Sequence, residues 1–237
     1  MEEPIKEPIK GQIDQPLFHR ATTTILGGLC FICANKVAPG HIRHLDYGQV
    51  LIGEHHQHYQ IRPLTPLLND IVADFKRANI AIKTTEDLPM ARWQKLVWNV
   101  PYNGLSVVLN ATTEEMMADS GITQLITTLM EEVVCVANHW GQQYSTQTPS
   151  FRGASADSSA TSRALPSGLI SQMLSHTEQM TPYRTSMKID YDEGRPLEIE
   201  AILGNPIRVA QTLGIPVPNM RMLYQQLAFL NARNLLC

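Results

Sequence analysis

The hydrophobic period changes at about Glu86, and this change constrains the fold more than any other feature. After it, apolar residues recur with helical spacing, which predicts helices from about 89, 122, 168, 182, 197 and 218. Before it, β-branched and apolar runs alternate with one amphipathic segment, Leu64–Phe75. The sequence therefore predicts an α+β chain, in which a mixed segment, 21–86, precedes a helical domain, 87–237.

Local signals predict the elements inside these segments. We expect a buried strand at 22–34 that is kinked at Gly27-Gly28, a hairpin with its turn at Tyr47-Gly48, and a short strand at Ile80–Lys83. In the helical domain, Pro101 predicts an interruption of the first helix, because proline lacks an N–H. Thr112 and Glu115 fit a capping box, the following helix is expected to end near Gly141, and the Ser-rich stretch 141–168 predicts a loop.

Composition excludes several classes of protein. The chain has 237 residues, of which 43% are hydrophobic and 17% charged, so it can bury a core. A formal charge of −3 without a basic block argues against nucleic-acid binding, and we see no apolar run near the roughly 18 residues that span a membrane. Residues 1–20 repeat EPIK and predict an extended arm rather than a signal peptide, so we expect a cytoplasmic protein.

Two clusters resemble metal sites but favour other interpretations. Cys30 and Cys33 form a CxxC inside an apolar strand-like run, where buried free thiols are the ordinary outcome. His55, His56 and His58 follow the end of a predicted strand, where a solvated loop is the better interpretation. We therefore expect no metal site.

The stretch Trp93–Asn110 is the first candidate for chemistry. Lys95, Asn99 and Asn103 recur every fourth residue, so a helix places them along one stripe beside an apolar side. A cation and two neutral amides suit a small polar anion and a proton transfer to it. A solvated helix face would explain the same pattern.

A second group lies about ninety residues further along the chain. Ser186 and Asp190 share one helical face, and Glu198 is expected at the start of a helix, where the helix dipole favours a carboxylate. These residues fit a surface role equally well, and Asp190 could pair with Arg184 or Arg195.

The order of these motifs resembles the ketopantoate reductase (2-dehydropantoate 2-reductase) family over roughly residues 22–236. The resemblance rests on Lys95-x-x-x-Asn99-x-x-x-Asn103, on Ser186-Met187-x-x-Asp190 and on Arg195–Glu200. Earlier segments, Gly27–Phe31, Pro39-Gly40 and Tyr47–Glu54, resemble the end of that family's nucleotide-binding domain. The resemblance implies the last part of a Rossmann-type domain followed by an all-α domain like the C-terminal domain of 6-phosphogluconate dehydrogenase.

The family's chemistry then implies roles for the candidate residues. Lys95 would protonate the ketone of a 2-keto acid while NADPH delivers hydride, and Glu198 would bind the substrate hydroxyl. Glu198 is also the one candidate for a cofactor contact. Asn99, Asn103 and Ser186 would bind the substrate, with Ser186 near its carboxylate. A homodimer is compatible with the sequence.

The chain also departs from the family's pattern. It has no G-x-G-x-x-G turn, so most of the nucleotide-binding domain is expected to be missing and tight NADPH binding is not expected. Tyr183 and Thr113 stand where some relatives carry asparagine, which leaves the substrate open to other 2-keto acids. A helical interaction domain without catalysis is the remaining alternative.

Overall fold

The computed structural model describes residues 24–56, 59–61, 63–145 and 163–235. The predicted arm at 1–20 and most of the predicted Ser-rich loop lie outside the described residues. A small sheet comes first and a set of packed helices follows, which confirms the α+β prediction.

The sheet has three strands in the order β1-β2-β3. Strand β1 (Leu26–Ala38) pairs antiparallel with β2 (His41–Glu54), and β2 pairs in parallel with β3 (Ala81–Thr84). Pro39-Gly40 makes the turn between β1 and β2, where Gly40 has a φ of 71° that fits the third position of a type II turn. Helix α1 (Pro66–Arg77) connects β2 to β3, as the amphipathic pattern predicted.

The predicted hairpin turn at Tyr47-Gly48 is wrong, because both residues lie inside the continuous strand β2. Tyr47 pairs with Ile32 and Gln49 pairs with Phe31, so Gly48 is an extra residue without a partner. Tyr47 and Gly48 have positive φ values, 61° and 138°, which make a β-bulge. Two successive residues with positive φ occur in bulges as well as in turns, so the Tyr47-Gly48 sequence does not distinguish a bulge from a hairpin turn.

The prediction of a buried, kinked first strand is also wrong. Of the β1 residues only Cys33 is buried. The strand has its irregularities at Phe31/Ile32, Cys33/Ala34 and Lys36/Ala38, and none at Gly27-Gly28. Gly27 instead faces its partner Gly53 across the two strands, and a side chain at Gly27 would meet Leu88 at 2.5 Å. These glycines let the sheet approach the start of the helical domain.

Helix α2 (Leu88–Leu109) begins at the cap residue Asp87, whose carboxylate accepts from the N–H of Met90 at 3.1 Å. It runs without a break through Pro101, so the predicted interruption is wrong. Proline removes one backbone donor, but every residue from Val100 to Val107 is buried, and this packing outweighs the loss of one bond.

The remaining helices pack around α2. Helix α3 (Thr113–Ala118) has the predicted capping box between Thr112 and Glu115. Helix α4 (Ser120–Ser145) continues four residues beyond the predicted end. By length and composition α4 could cross a membrane, contrary to the expectation from the apolar runs, but its buried face packs against α2 as in the core helix of a globular domain.

The last part of the chain completes the core. Its helices are α5 (Leu169–Gln179), α6 (Ser186–Asp192), α7 (Asn205–Thr212) and α8 (Pro218–Asn234). Helix α6 starts four residues later than predicted, and the predicted helix from 197 contains a π-helical segment, Glu200–Gly204, before α7. Helices α2, α4, α7 and α8 supply most of the hydrophobic core.

Candidate active site

A cleft of about 600 Å³ separates the β1–β2 hairpin from the helices. The sequence-predicted residues Lys95, Asn99, Asn103, Ser186 and Glu198 all line it. They come from α2, the start of α6 and the segment before the π-helical turn, so the fold brings together residues about a hundred positions apart. The segment Cys30–Ala34 and Tyr47 form the facing wall.

Lys95 crosses the cleft from α2 to the hairpin. Its Nζ donates to the carbonyl oxygen of Cys30 at 2.9 Å and lies 5.6 Å from the centre of the Phe31 ring. Burial lowers the pKa of Lys95 below its ordinary value of 10.5, while the Cys30 thiol and the Glu198 carboxylate oppose that shift. An ammonium group has three donors, so after the bond to Cys30 two remain for a ligand.

The side chain of Asn103 is a buried amide whose oxygen lacks a hydrogen-bond partner among the described residues. Its side chain is 2% exposed, and its Oδ1 accepts no hydrogen bond from the described residues. A buried acceptor without a donor is costly, so a ligand that donates a proton to it would bind favourably. Asn99 lies one turn earlier on the same stripe and is half-buried.

Ser186 and Glu198 line the cleft, and each is next to a residue whose contacts hold the backbone in place. Ser186 is the first residue of α6, directly after the buried cap residue Thr185. Glu198 is exposed and precedes the π-helical segment, and the N–H of its neighbour Leu197 donates to Asn231 Oδ1 at 3.1 Å. Asp190 pairs with Arg195, one of the two surface pairings that the sequence allowed, with an Nε–Oδ1 distance of 2.8 Å.

The inner part of the cleft is aromatic and apolar, which the sequence spacing did not indicate. Trp98 stacks on Tyr102 with ring centres 4.7 Å apart and donates from Nε1 to Thr177 Oγ1 at 3.0 Å. Tyr183 also lines the cleft, and burial, helped by the Cys33 thiol, raises its pKa to about 12, so its phenol stays protonated at ordinary pH. Met173 and other α5 residues complete this side.

Cys30 and Cys33 both line the cleft, with Cys30 exposed and Cys33 buried. Burial, with a contribution from Asp46, raises the pKa of the Cys33 thiol to about 11. Three residues of extended strand span roughly 10 Å, well beyond the reach of a disulfide. In the part of the chain that the structure describes, no group of three His, Cys, Asp or Glu side chains is arranged to hold a metal ion.

The two strand-to-helix connections after β2 and β3 lack the glycine-rich sequence that binds the pyrophosphate of a dinucleotide. The connection from β2 to α1 (55–65) and the connection from β3 to α2 (85–87) contain no glycine. The carboxylate of Asp87 also occupies the start of α2 by accepting from Met90 N. Asp87 also pairs with Arg163, at 2.6 Å between Oδ2 and Nε, so a phosphate would have to displace a formed cap to reach the N–H groups.

Comparison with known proteins shows that the chain is similar to ketopantoate reductases. Residues 87–231 match the family described as "Ketopantoate reductase PanE/ApbA C terminal". A 2-dehydropantoate 2-reductase from Nostoc sp. is 49% identical over 210 residues, which cover 89% of this chain and 59% of that protein.

Two solved structures show the same fold at lower identity. A 2-dehydropantoate 2-reductase from Geobacter metallireducens is 33% identical with a TM-score of 0.70, over 86% of this chain and 60% of that one. The enzyme of that name from Methylococcus capsulatus is 28% identical with a TM-score of 0.72, over 89% and 59%. The chain thus spans about three-fifths of the length of these relatives.

Proposed function

This chain belongs to the ketopantoate reductase family, and from that premise we propose that its cleft binds 2-dehydropantoate and protonates it during NADPH-dependent reduction to pantoate, a step of pantothenate biosynthesis. The observation that carries the proposal is the convergence of Lys95, Asn99, Asn103, Ser186 and Glu198 on one cleft. The sequence had predicted these residues from separate motifs, and a set of unrelated surface residues would not be expected to meet.

Lys95 is the proton donor in this proposal. A ketone that accepts hydride becomes an alkoxide, so a cation beside that oxygen stabilises the transition state where charge develops. The bond from Nζ to Cys30 O fixes the ammonium at the cleft wall and leaves two N–H groups to share with the ketone oxygen. The burial that lowers its pKa makes it a better acid than a surface lysine.

The other residues orient the substrate. Ser186 would donate to the carboxylate of the keto acid, and Glu198 would accept from its hydroxyl group. The single proton of that hydroxyl goes to Glu198, so the Asn103 amide would donate from Nδ2 to the hydroxyl oxygen. Asn99 would contact the polar head of the substrate between them.

The cofactor proposed for this reaction is NADPH, which supplies the hydride. Because the two strand-to-helix connections after β2 and β3 lack glycine, we propose Glu198 as a contact for the substrate and not for the cofactor. We propose that residues 87–237 form the substrate domain and 21–86 the end of a nucleotide-binding domain. The family match at 87–231 supports the first boundary.

A second candidate is a reductase for another 2-keto acid. Tyr183 presents a bulky phenol to the cleft, and the Thr113 hydroxyl accepts from Tyr183 N at 3.2 Å and is therefore engaged inside the protein. A cleft with this aromatic wall would favour a more apolar side chain than that of 2-dehydropantoate. A helical interaction domain without catalysis is the third candidate. The absence of glycine from the connections after β2 and β3 favours it.

Calorimetric titration of the purified chain with 2-dehydropantoate tests the proposal without a cofactor. We expect a dissociation constant of about 1 mM or tighter, the usual range for enzyme substrates. Pantoate and a panel of aromatic and branched 2-keto acids serve as comparison ligands. Preference for one of the panel would favour the second candidate, and no binding by any 2-keto acid would contradict the proposed function.

A further inference from the structure

Two hydroxyl groups meet in the interior directly behind the cleft. Ser106 on α2 and Thr185 before α6 are both fully buried, and their side-chain oxygens lie 2.7 Å apart. They are 79 residues apart in sequence, so this contact fixes one helix relative to the other. Hydroxyls without exposure to water must find partners within the protein.

The number of available protons determines which of the two hydroxyls donates in the Ser106–Thr185 hydrogen bond. Ser106 Oγ donates its only proton to the carbonyl oxygen of Asn103 at 2.9 Å. The proton between the two hydroxyls must therefore come from Thr185. Thr185 Oγ1 in turn accepts from Lys188 N at 3.3 Å. The result is one chain of bonds from α6 to α2, in which each bond polarises the next.

Each end of this series of hydrogen bonds lies at or next to a residue that lines the cleft. At one end is Asn103, whose buried Oδ1 has no partner among the described residues. At the other end, Thr185 precedes Ser186 and caps the helix that begins there. A shift of either hydroxyl would change the separation between the Asn103 amide and the Ser186 hydroxyl.

We propose that Ser106 and Thr185 are positioning residues that set the spacing between the amide and hydroxyl contacts of the bound 2-keto acid. This inference rests on the proposed function for the identity of the ligand, but the geometry it describes belongs to the free chain. Neither residue lines the cleft, so both act through their neighbours.

Three variants separate positioning from general stability. Ser106→Ala removes the bond to Thr185 and the bond to Asn103 O but leaves the helix cap. Thr185→Ser keeps both the cap and the hydroxyl pair. Thr127→Val is the matched control, because Thr127 Oγ1 also donates to a helix carbonyl, Thr123 O at 2.8 Å, on α4 away from the cleft.

The first readout is affinity for 2-dehydropantoate by calorimetry, well below the melting temperature. Ser106→Ala, which loses two buried hydrogen bonds, should weaken binding roughly tenfold because the two contacts of the ligand move out of register. Thr185→Ser and Thr127→Val should stay within about twofold of the unsubstituted chain. Equal affinities for all four proteins would overturn the proposal, even if the melting temperature of Ser106→Ala falls.

The second readout needs no ligand. In ¹H–¹⁵N spectra of the free chain, Ser106→Ala should shift both the Asn103 side-chain amide and the Ser186 backbone N–H, and Thr127→Val should shift neither. If the unsubstituted chain binds no 2-keto acid but these shifts occur, the proposed function fails while the positioning of the two groups stands. If the Ser186 signal does not respond to Ser106→Ala, the positioning role is wrong.

Discussion

The β1–β2 hairpin and the helical domain form the two walls of the same cleft. Apolar side chains are largely buried in the helical domain, whereas many of them are exposed on the hairpin. Among the described residues, the buried hydrophobic cluster draws only on residues from Met90 to Leu227, and Val97 is fully buried in it. On the hairpin, Ile42 is 61% exposed and Tyr47 is 50% exposed. One wall is therefore fixed by packing, and the other is held by strand pairing and a few contacts at its base.

This difference explains where the proposed chemistry lies. Lys95, Asn99 and Asn103 project from a helix whose opposite face is core, so their positions depend on many packed neighbours. The hairpin contributes backbone, above all Cys30 O, to which Lys95 donates. We infer that the packed wall positions the reacting groups and the hairpin wall shapes access to them.

The largest expected effect is on catalysis. Replacing Lys95 by alanine should lower turnover of 2-dehydropantoate by about 10²–10⁴, because the proton donor is lost. Lys83→Ala, on the exposed face of β3, is the matched control and should leave turnover unchanged. The measurement requires a form of the protein that turns over 2-dehydropantoate. An unchanged rate in Lys95→Ala would remove this residue from the mechanism.

The next effect contrasts the two walls in stability. Leu129→Ala in the helical core should lower the free energy of unfolding by about 2–5 kcal/mol, because Leu129 is only 1% exposed and its removal leaves a cavity. Ile42→Ala on the hairpin should stay within about 0.5 kcal/mol of the unsubstituted chain. Urea unfolding of both variants measures the contrast, and similar losses would show that the hairpin is packed more tightly than its exposure indicates.

A smaller effect is expected from pH. Binding of a 2-keto acid depends on the protonated form of Lys95, and burial lowers the pKa of that group below 10.5. Affinity should therefore be full below this lowered pKa and should fall as pH rises through it, before an ordinary lysine would titrate. Calorimetry across the alkaline range checks this, with Lys95→Ala as the control whose residual affinity should not follow the same curve.

The smallest signal is expected from the cofactor. Because the connections after β2 and β3 lack glycine and Asp87 occupies the start of α2, the chain should not bind NADPH tightly. Titration followed by NADPH fluorescence should show no saturation in the micromolar range. Micromolar binding would mean that another part of this chain holds the pyrophosphate.

Local patterns predicted the elements that depend on local physics. The four-residue spacing of Lys95, Asn99 and Asn103 and the Thr112–Glu115 capping box both follow from helix geometry. The prediction at Pro101 failed because tertiary packing outweighed the missing N–H. The prediction at Tyr47-Gly48 failed because a bulge uses the same backbone conformations as a turn.

The parts of the site that the sequence did not reveal depend on distant partners. The bond from Lys95 to Cys30 O joins residues 65 positions apart, and the Ser106–Thr185 contact joins residues 79 apart. No spacing rule links such pairs, since their distance is set by how the helices and the hairpin pack. The resemblance to a family named the site residues, and the fold showed what surrounds them.

The most direct test is a crystal structure of the chain with 2-dehydropantoate bound. We predict the ketone oxygen at about 3 Å from Lys95 Nζ, with the carboxylate at Ser186 and the hydroxyl between Glu198 and Asn103. A ligand bound elsewhere, or in the cleft with its ketone oxygen away from Lys95, would contradict this prediction.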